Sequence, residues 1–175
     1  MNTKLHALNL IDKKSKQEKI VMMTAYDFPT AVLLDEAGVD MILVGDSLGN
    51  VICGLRDTLS VTMAQMVYHT TLVSRAMPKA LIVADMPFMT YHLSREQAKK
   101  NAGRLVQEGG AEAVKMECSM SMIDTVRAVV ETGIPVMAHI GFTPQRIHEL
   151  GGYKVQGRGP HQEKALIELA VALEE

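Results

Sequence analysis

The sequence predicts an α/β fold built of parallel strands alternating with helices, a (β/α)8 barrel of which about five βα units are present in one domain spanning 1–175. Three observations predict it. Short runs of Val, Ile, Leu and Met alternate with longer segments whose apolar residues recur at helical spacing. Helical segments close on glycine and lead straight into the next apolar run. Acidic residues then stand at equivalent places after successive runs.

The strands are read at Ile20 to Thr24, Met41 to Val44, Leu81 to Ala84, Ala113 to Met116 and Pro135 to Ala138. Each is nearly continuous in apolar residues, as parallel strands covered on both faces require. The helix after the first strand ends in Glu36-Ala37-Gly38. The next begins with the capping-box pair Thr62 and Gln65. A third begins with Ser94 and Gln97, places Ala98, Ala102, Leu105 and Val106 on one face, and ends in Glu108-Gly109-Gly110. A fourth carries Met122, Val126, Val129 and Val130 as one stripe and ends in Glu131-Thr132-Gly133. Glycine there can adopt the left-handed conformation that closes a helix.

Such a series suits either a doubly wound sheet or a barrel. A dinucleotide-binding sheet would place G-x-G-x-x-G after its first strand, where Thr24-Ala25-Tyr26-Asp27-Phe28 stands instead, so the barrel is preferred. A whole barrel takes about 250 residues. Leu173-Glu174-Glu175 lies inside a helical pattern, so the sequence reads as interrupted. The first and fifth strands are expected to be separated by a gap that three more strands would fill.

Composition narrows function. A net charge of −2, with both signs interspersed, offers no basic stripe for nucleic acid. No apolar run is long enough to cross a bilayer, and a cytoplasmic location is expected. Cys53 and Cys118 match no zinc spacing and read as reduced thiols, Cys118 as a small buried one. The 13 methionines are scattered and read as core filling. A small-molecule function is favoured.

Asp46, Asp85 and Glu117 each follow a predicted strand. In a parallel barrel these strand ends share the face where active sites lie. Converging carboxylates repel one another, and a hard cation such as Mg²⁺ relieves the repulsion through one or two of them while keeping waters or substrate oxygens. The plainer reading is that Asp46 and Asp85 cap the turns that follow. Recurrence on three strands favours a site. Lys115, two positions before Glu117, points to the same side and suits either an ion pair or a substrate carboxylate. His139 also lies at the mouth, as a structural group or a catalyst. Tyr26 and Asp27 could line the mouth, Tyr26 equally as a packed ring. The glycines and cations of Gly151-Gly152-Tyr153-Lys154-Val155-Gln156-Gly157-Arg158-Gly159 suit an anion cradle or an ordinary flexible loop.

Thr24-Ala25-Tyr26-Asp27, Val44-Gly45-Asp46-Ser47-Leu48-Gly49, Ala84-Asp85-Met86-Pro87-Phe88-Met89 and the 151–159 glycine loop, in this order and spacing, closely resemble segments of the ketopantoate hydroxymethyltransferase family. Val114-Lys115-Met116-Glu117 and Ala138-His139-Ile140-Gly141-Phe142-Thr143-Pro144 fit as well. The resemblance implies a Mg²⁺-dependent barrel that transfers the one-carbon unit of 5,10-methylenetetrahydrofolate to 3-methyl-2-oxobutanoate, giving 2-dehydropantoate. It implies metal ligands Asp46, Asp85 and Glu117, substrate contacts Asp46, Ser47, Asp85 and Lys115, and a homo-oligomer, a decamer being typical of the family; Lys115 and His139 are the candidates for catalytic roles. The family's general base is a glutamate on the strand expected beyond Glu175, so slow deprotonation is expected of this chain. Two alternatives stand beside it: a non-catalytic barrel fragment that self-associates, and a related phosphoenolpyruvate- or oxaloacetate-acting Mg²⁺-dependent barrel.

Overall fold

The computed structural model describes residues 3–175, and its element order is a repeated strand and helix. Helix α1 (Ala7–Ser15) precedes β1 (Met22–Thr24) and α2 (Phe28–Glu36). Then come β2 (Met41–Val44), the short α3 (Leu48–Val51), α4 (Met63–Ser74), β3 (Leu81–Asp85) and α5 (Arg95–Gln107). Next are β4 (Ala113–Glu117), a 3-10 turn (Met120–Met122), α6 (Ile123–Val130), β5 (Val136–His139), a second 3-10 turn (Pro144–Arg146), α7 (Ile147–Leu150) and α8 (Pro160–Glu174).

All five strands are parallel and pair in the order β1-β2-β3-β4-β5. A doubly wound sheet reverses its strand order at a switch point. This sheet never reverses, so each crossover advances one strand in the same sense, as in a barrel wall. β1 and β5 are the two sheet edges, which is the gap expected between the first and fifth strands.

Residues alternate across the wall. Ile42, Val44, Ile82, Ala84, Val114 and Met116 pack outward with Met66 and Val73 of α4, Ala98, Ala102 and Leu105 of α5, and Val126 and Val129 of α6. Met41, Leu43, Leu81, Val83 and Ala113 form a second cluster on the other face, against which Leu10 of α1 and Met137 pack. β2 and β3 are buried throughout, whereas β1 is exposed along its length.

The helix ends follow their local chemistry. Thr62 accepts from the Gln65 amide at 3.3 Å while the Gln65 side chain accepts from the Thr62 amide at 2.9 Å, the reciprocal box expected. At Ser94 only half of that arrangement forms: Ser94 accepts from the Gln97 amide, but the Gln97 side chain accepts from the Leu93 amide and donates to the Met89 carbonyl. Gly38, Gly110 and Gly133 have φ of +80°, +77° and +87°. At Gly110 a Cβ would also fall 2.7 Å from Ser74 Oγ, so both backbone and packing demand glycine.

Several boundaries differ from the sequence reading. β1 starts at Met22, because the Val21 amide donates to Asp40 Oδ2 and the Val21 carbonyl accepts from the Asp40 and Met41 amides. β5 starts at Val136, since Pro135 has no amide hydrogen for a ladder. β3, β4 and β5 each run one residue further than expected, through Asp85, Glu117 and His139. Met122 lies in the 3-10 turn, and Val130 is 49% exposed where the stripe of α6 was expected to bury it. Helix α1 carried no sequence expectation. Met41, Met63, Met66, Met86 and Met116 fill the core, but Met77 and Met120 are exposed. Cys118 is buried and donates to the Met116 carbonyl, while Cys53 is exposed. Among the described residues no helix is long and apolar enough to cross a membrane.

The N-terminal segment is tied to the lower rim of the wall. Lys4 Nζ donates to the Pro78 and Ala80 carbonyls and lies 2.6 Å from Glu112, and Lys13 Nζ lies 2.6 Å from Asp40 Oδ1. Burial raises the Asp40 pKa. The Lys13 hydrogen bond, the Val21 amide and the Lys13 charge outweigh burial and leave it below its ordinary value. A depressed folded-state pKa contributes stability above the unfolded value of about 3.9, lost as pH falls through the folded pKa. Asp40→Asn is therefore expected to cost about 1.5–3 kcal/mol near neutral pH. Urea unfolding followed by circular dichroism checks this. The gap between wild type and variant should narrow steadily as pH falls below about 4; a constant gap would show that the charge of Asp40 contributes nothing.

Candidate active site

The parallel register brings the predicted residues together. Asp85 pairs with Lys115 across β3 and β4, and Glu117 pairs with His139 across β4 and β5. Asp46 follows β2 by two residues, and its backbone amide donates to Asp85 Oδ2 at 3.4 Å. Asp46, Asp85 and Glu117 are all buried, at 4%, 1% and 5% exposure, which is unusual for carboxylates and costly without compensation.

Lys115 supplies part of the compensation by an ion pair with Asp85 Oδ2. Among the described residues Asp85 Oδ1 is buried with no hydrogen-bond partner. Burial foremost, opposed by Lys115 and reinforced by Asp46, pushes the Asp85 carboxyl up to about 6. Burial also pushes Glu117 up to about 7 against the Gln145 amide, with Asp46 and Asp85 adding to the rise. Lys115 stays charged: burial lowers its pKa, but the attraction and hydrogen bond of Asp85, with the charges of Asp46 and Glu117, together outweigh burial and leave it raised.

His139 Nδ1 lies 3.8 Å from Glu117 Oε1, too far for a hydrogen bond, and has no other partner. Burial and the Lys115 charge lower its pKa, so the ring is neutral at pH 7 and the contact is not an ion pair. Ser47 Oγ and the Tyr26 hydroxyl are 2.8 Å apart, so Tyr26 joins the mouth by a side-chain bond. Asp27 does not join. Its carboxylate accepts from the Thr30 amide at 2.8 Å and caps α2. Asp46 and Asp85 cap nothing; their carboxylates face Gln145 and Lys115.

The geometry adds two residues that the sequence reading missed. Gln145, 3% exposed in the second 3-10 turn, donates from Nε2 to Asp46 Oδ2 and to the Met86 carbonyl, both at 2.9 Å. Its Oε1 accepts from the Tyr91 hydroxyl at 2.7 Å, and its backbone amide donates to Glu117 at 3.1 Å. Tyr91, 1% exposed, also accepts from the Glu117 amide at 3.2 Å. No sequence rule marks an isolated glutamine or tyrosine. The only signal was that Gln145 directly follows Phe142-Thr143-Pro144 at a strand mouth.

Asp46 and Asp85 offer carboxylate oxygens to a hard cation, and the unpartnered Asp85 Oδ1 fits such an ion. Among the described residues no three His, Cys, Asp or Glu side chains stand close enough together to grip an ion directly. Glu117, engaged by Gln145, fits contact through water. A cavity of about 400 Å³ opens nearby, lined by Cys118, Ser119, Arg146, Gln156, Gly157 and His161 among others. None of the three acids lines it, so the candidate chemistry lies at the strand ends. The glycine loop contributes Gln156 and Gly157 to the cavity but leaves Tyr153 and Val155 exposed.

Comparison with known proteins is consistent with this layout. A solved 2,3-dimethylmalate lyase of the PEP mutase/isocitrate lyase superfamily superposes with a TM-score of 0.65 at 17% identity, over 96% of this chain and 60% of that one. A phosphonopyruvate hydrolase solved with oxalate and Mg²⁺ gives 0.70 at 12% identity, over 97% and 60%. Such low identities establish the barrel fold alone. In sequence, 3-methyl-2-oxobutanoate hydroxymethyltransferases of Thermoanaerobacter sp. (strain X514) and Geobacter metallireducens are 54% and 53% identical over 175 residues. The chain spans 64% and 66% of the length of those relatives. The family model for ketopantoate hydroxymethyltransferase matches residues 4–175, through every strand end just described. With that match and more than half of all positions shared with the relatives, the chain belongs to the ketopantoate hydroxymethyltransferase family.

Proposed function

We propose that the protein serves hydroxymethyl transfer from 5,10-methylenetetrahydrofolate to 3-methyl-2-oxobutanoate, giving 2-dehydropantoate for pantothenate synthesis. The observation that carries this reading is the buried, unpartnered Asp85 Oδ1 beside Asp46 and the Lys115 ammonium. Family membership supplies the substrate class.

Asp46 and Asp85 would hold Mg²⁺, with Glu117 reaching it through water. A divalent cation there supplies the Lewis acidity that makes a C–H beside a keto group removable. The remaining work falls to this chain's side chains. Lys115 neutralises the substrate carboxylate, and Ser47, oriented by Tyr26, donates a hydrogen bond to it. His139, neutral and with an unpartnered Nδ1, can take or hold a proton at the mouth. Burial of the group excludes water, so each charge acts more strongly on a substrate oxygen than it would at the surface. The exposed β1 residues Met22 and Met23, with Ile20 and Val21 before them, favour self-association as a second reading.

Three measurements test these assignments. Asp85→Ala should abolish the Mg²⁺ dependence of 3-methyl-2-oxobutanoate binding in titration calorimetry; an unaltered dependence would overturn the site. Lys115→Met should weaken binding of the same acid roughly ten- to a hundredfold, the worth of one charge-assisted hydrogen bond. Equal affinity in variant and wild type would make the lysine structural. Sedimentation velocity should show the wild type associating with rising concentration and Met23→Lys shifted toward the monomer, and identical profiles would dismiss the exposed strand as a contact.

A further inference from the structure

Resting on that reading of the site, we propose that Gln145 is its positioning residue: a neutral strut that aims the Asp46 and Glu117 carboxylates at the cation, and is itself oriented by Tyr91.

The amide's bonding is nearly complete. Both Nε2 hydrogens are used, one on Asp46 Oδ2 and one on the Met86 carbonyl, and Oε1 takes the Tyr91 hydroxyl. Its orientation follows from the partners. The opposite orientation would set Oε1 against a carboxylate and a carbonyl, with no proton between them. A primary amide donates twice at one end and accepts at the other without carrying charge. Glutamate would add a fourth anion beside Asp46, Asp85 and Glu117. A lysine or arginine would give a cation next to the acids and compete with a metal ion for them.

Gln145 also links distant strand ends. Its side chain reaches the second residue after β2 and the first after β3, and its backbone amide reaches the last residue of β4, all from the turn beyond β5. Tyr91 accepts from the Glu117 amide while donating to Gln145, and the Gln145 backbone amide donates to the Glu117 carboxylate, so the three residues close a ring of hydrogen bonds. Among the described residues, Gln145 is the hydrogen-bond donor to the Asp46 carboxylate, and it takes Oδ2 only. Among the described residues no hydrogen bond engages the other oxygen, which leaves it available to a cation. Groups that orient metal ligands in this way commonly control metal affinity by about 10–100-fold.

The test uses Mn²⁺ as the probe, with free ion measured by electron paramagnetic resonance, and thermal unfolding recorded for each variant. Gln145→Met keeps the length and removes the side-chain bonds while leaving the backbone amide on Glu117; its Mn²⁺ Kd should rise about 10–100-fold with the folded state retained. Tyr91→Phe keeps the ring and loses the hydroxyl that bonds both Gln145 and the Glu117 amide; its Kd should rise roughly two- to tenfold, the worth of the one neutral hydrogen bond that acts through Gln145. Because Tyr91 acts through Gln145, the double variant should bind no more weakly than Gln145→Met alone. Tyr91→Phe decides alone if Gln145→Met fails to fold. Mn²⁺ affinity unchanged in the folded variants, or losses that simply add, would overturn the strut while leaving the metal site standing. Absence of Mn²⁺ binding by the wild type, or binding unaffected by Asp85→Ala, would instead overturn the site and the strut with it.

Discussion

The constraint on which the upper end of this structure depends is the burial of like charge. Three carboxylates within a water-poor mouth repel one another, and each loses hydration that its neighbours cannot replace. Lys115 relieves one of them, the Gln145 amides satisfy parts of two others, and Asp85 Oδ1 remains without a partner. Replacing such a group with a packed apolar one would often stabilise a fold. Its retention at the end of a well-packed wall is the usual mark of a site where stability yields to chemistry.

Parallel register is what makes the arrangement possible from so short a set of motifs. Neighbouring strands place residues side by side wherever the ladder pairs them, so Asp85 meets Lys115 and Glu117 meets His139 though some twenty or thirty residues intervene. The outward faces of the same strands carry only packing, Ile82 and Ala84 in β3 and Val114 and Met116 in β4. One alternation thus separates what holds the wall together from what it displays at its rim.

Much of this was legible because it is periodic. Apolar runs located all five strands, and the closing glycines located the ends of α2, α5 and α6, since positive φ leaves few other residues available. The acids stood out because they recurred at one place in each repeat. Gln145 and Tyr91 did not recur, and their importance lies in partners contributed by other strands, which no local pattern encodes. Helix α1 was obscured because it buries none of its residues fully and its anchoring comes from Lys4 and Lys13 meeting groups far along the chain. The shortening of β1 has the same origin: Asp40 captures the Val21 amide that periodicity had assigned to a ladder.

The N-terminal strap bears on the order of assembly. In a wall whose neighbouring strands are also neighbours in sequence, each new unit can dock on the one just formed, and most loops to be closed are short. The strap departs from that rule. Lys4 finds its carbonyls only at Pro78 and Ala80, and its carboxylate only at Glu112. A ribosome releases those partners several seconds after the segment itself, at about 5–20 residues per second. Lys4 is therefore fastened well after the residues beside it in sequence, and its segment closes over the lower rim only once β4 has begun.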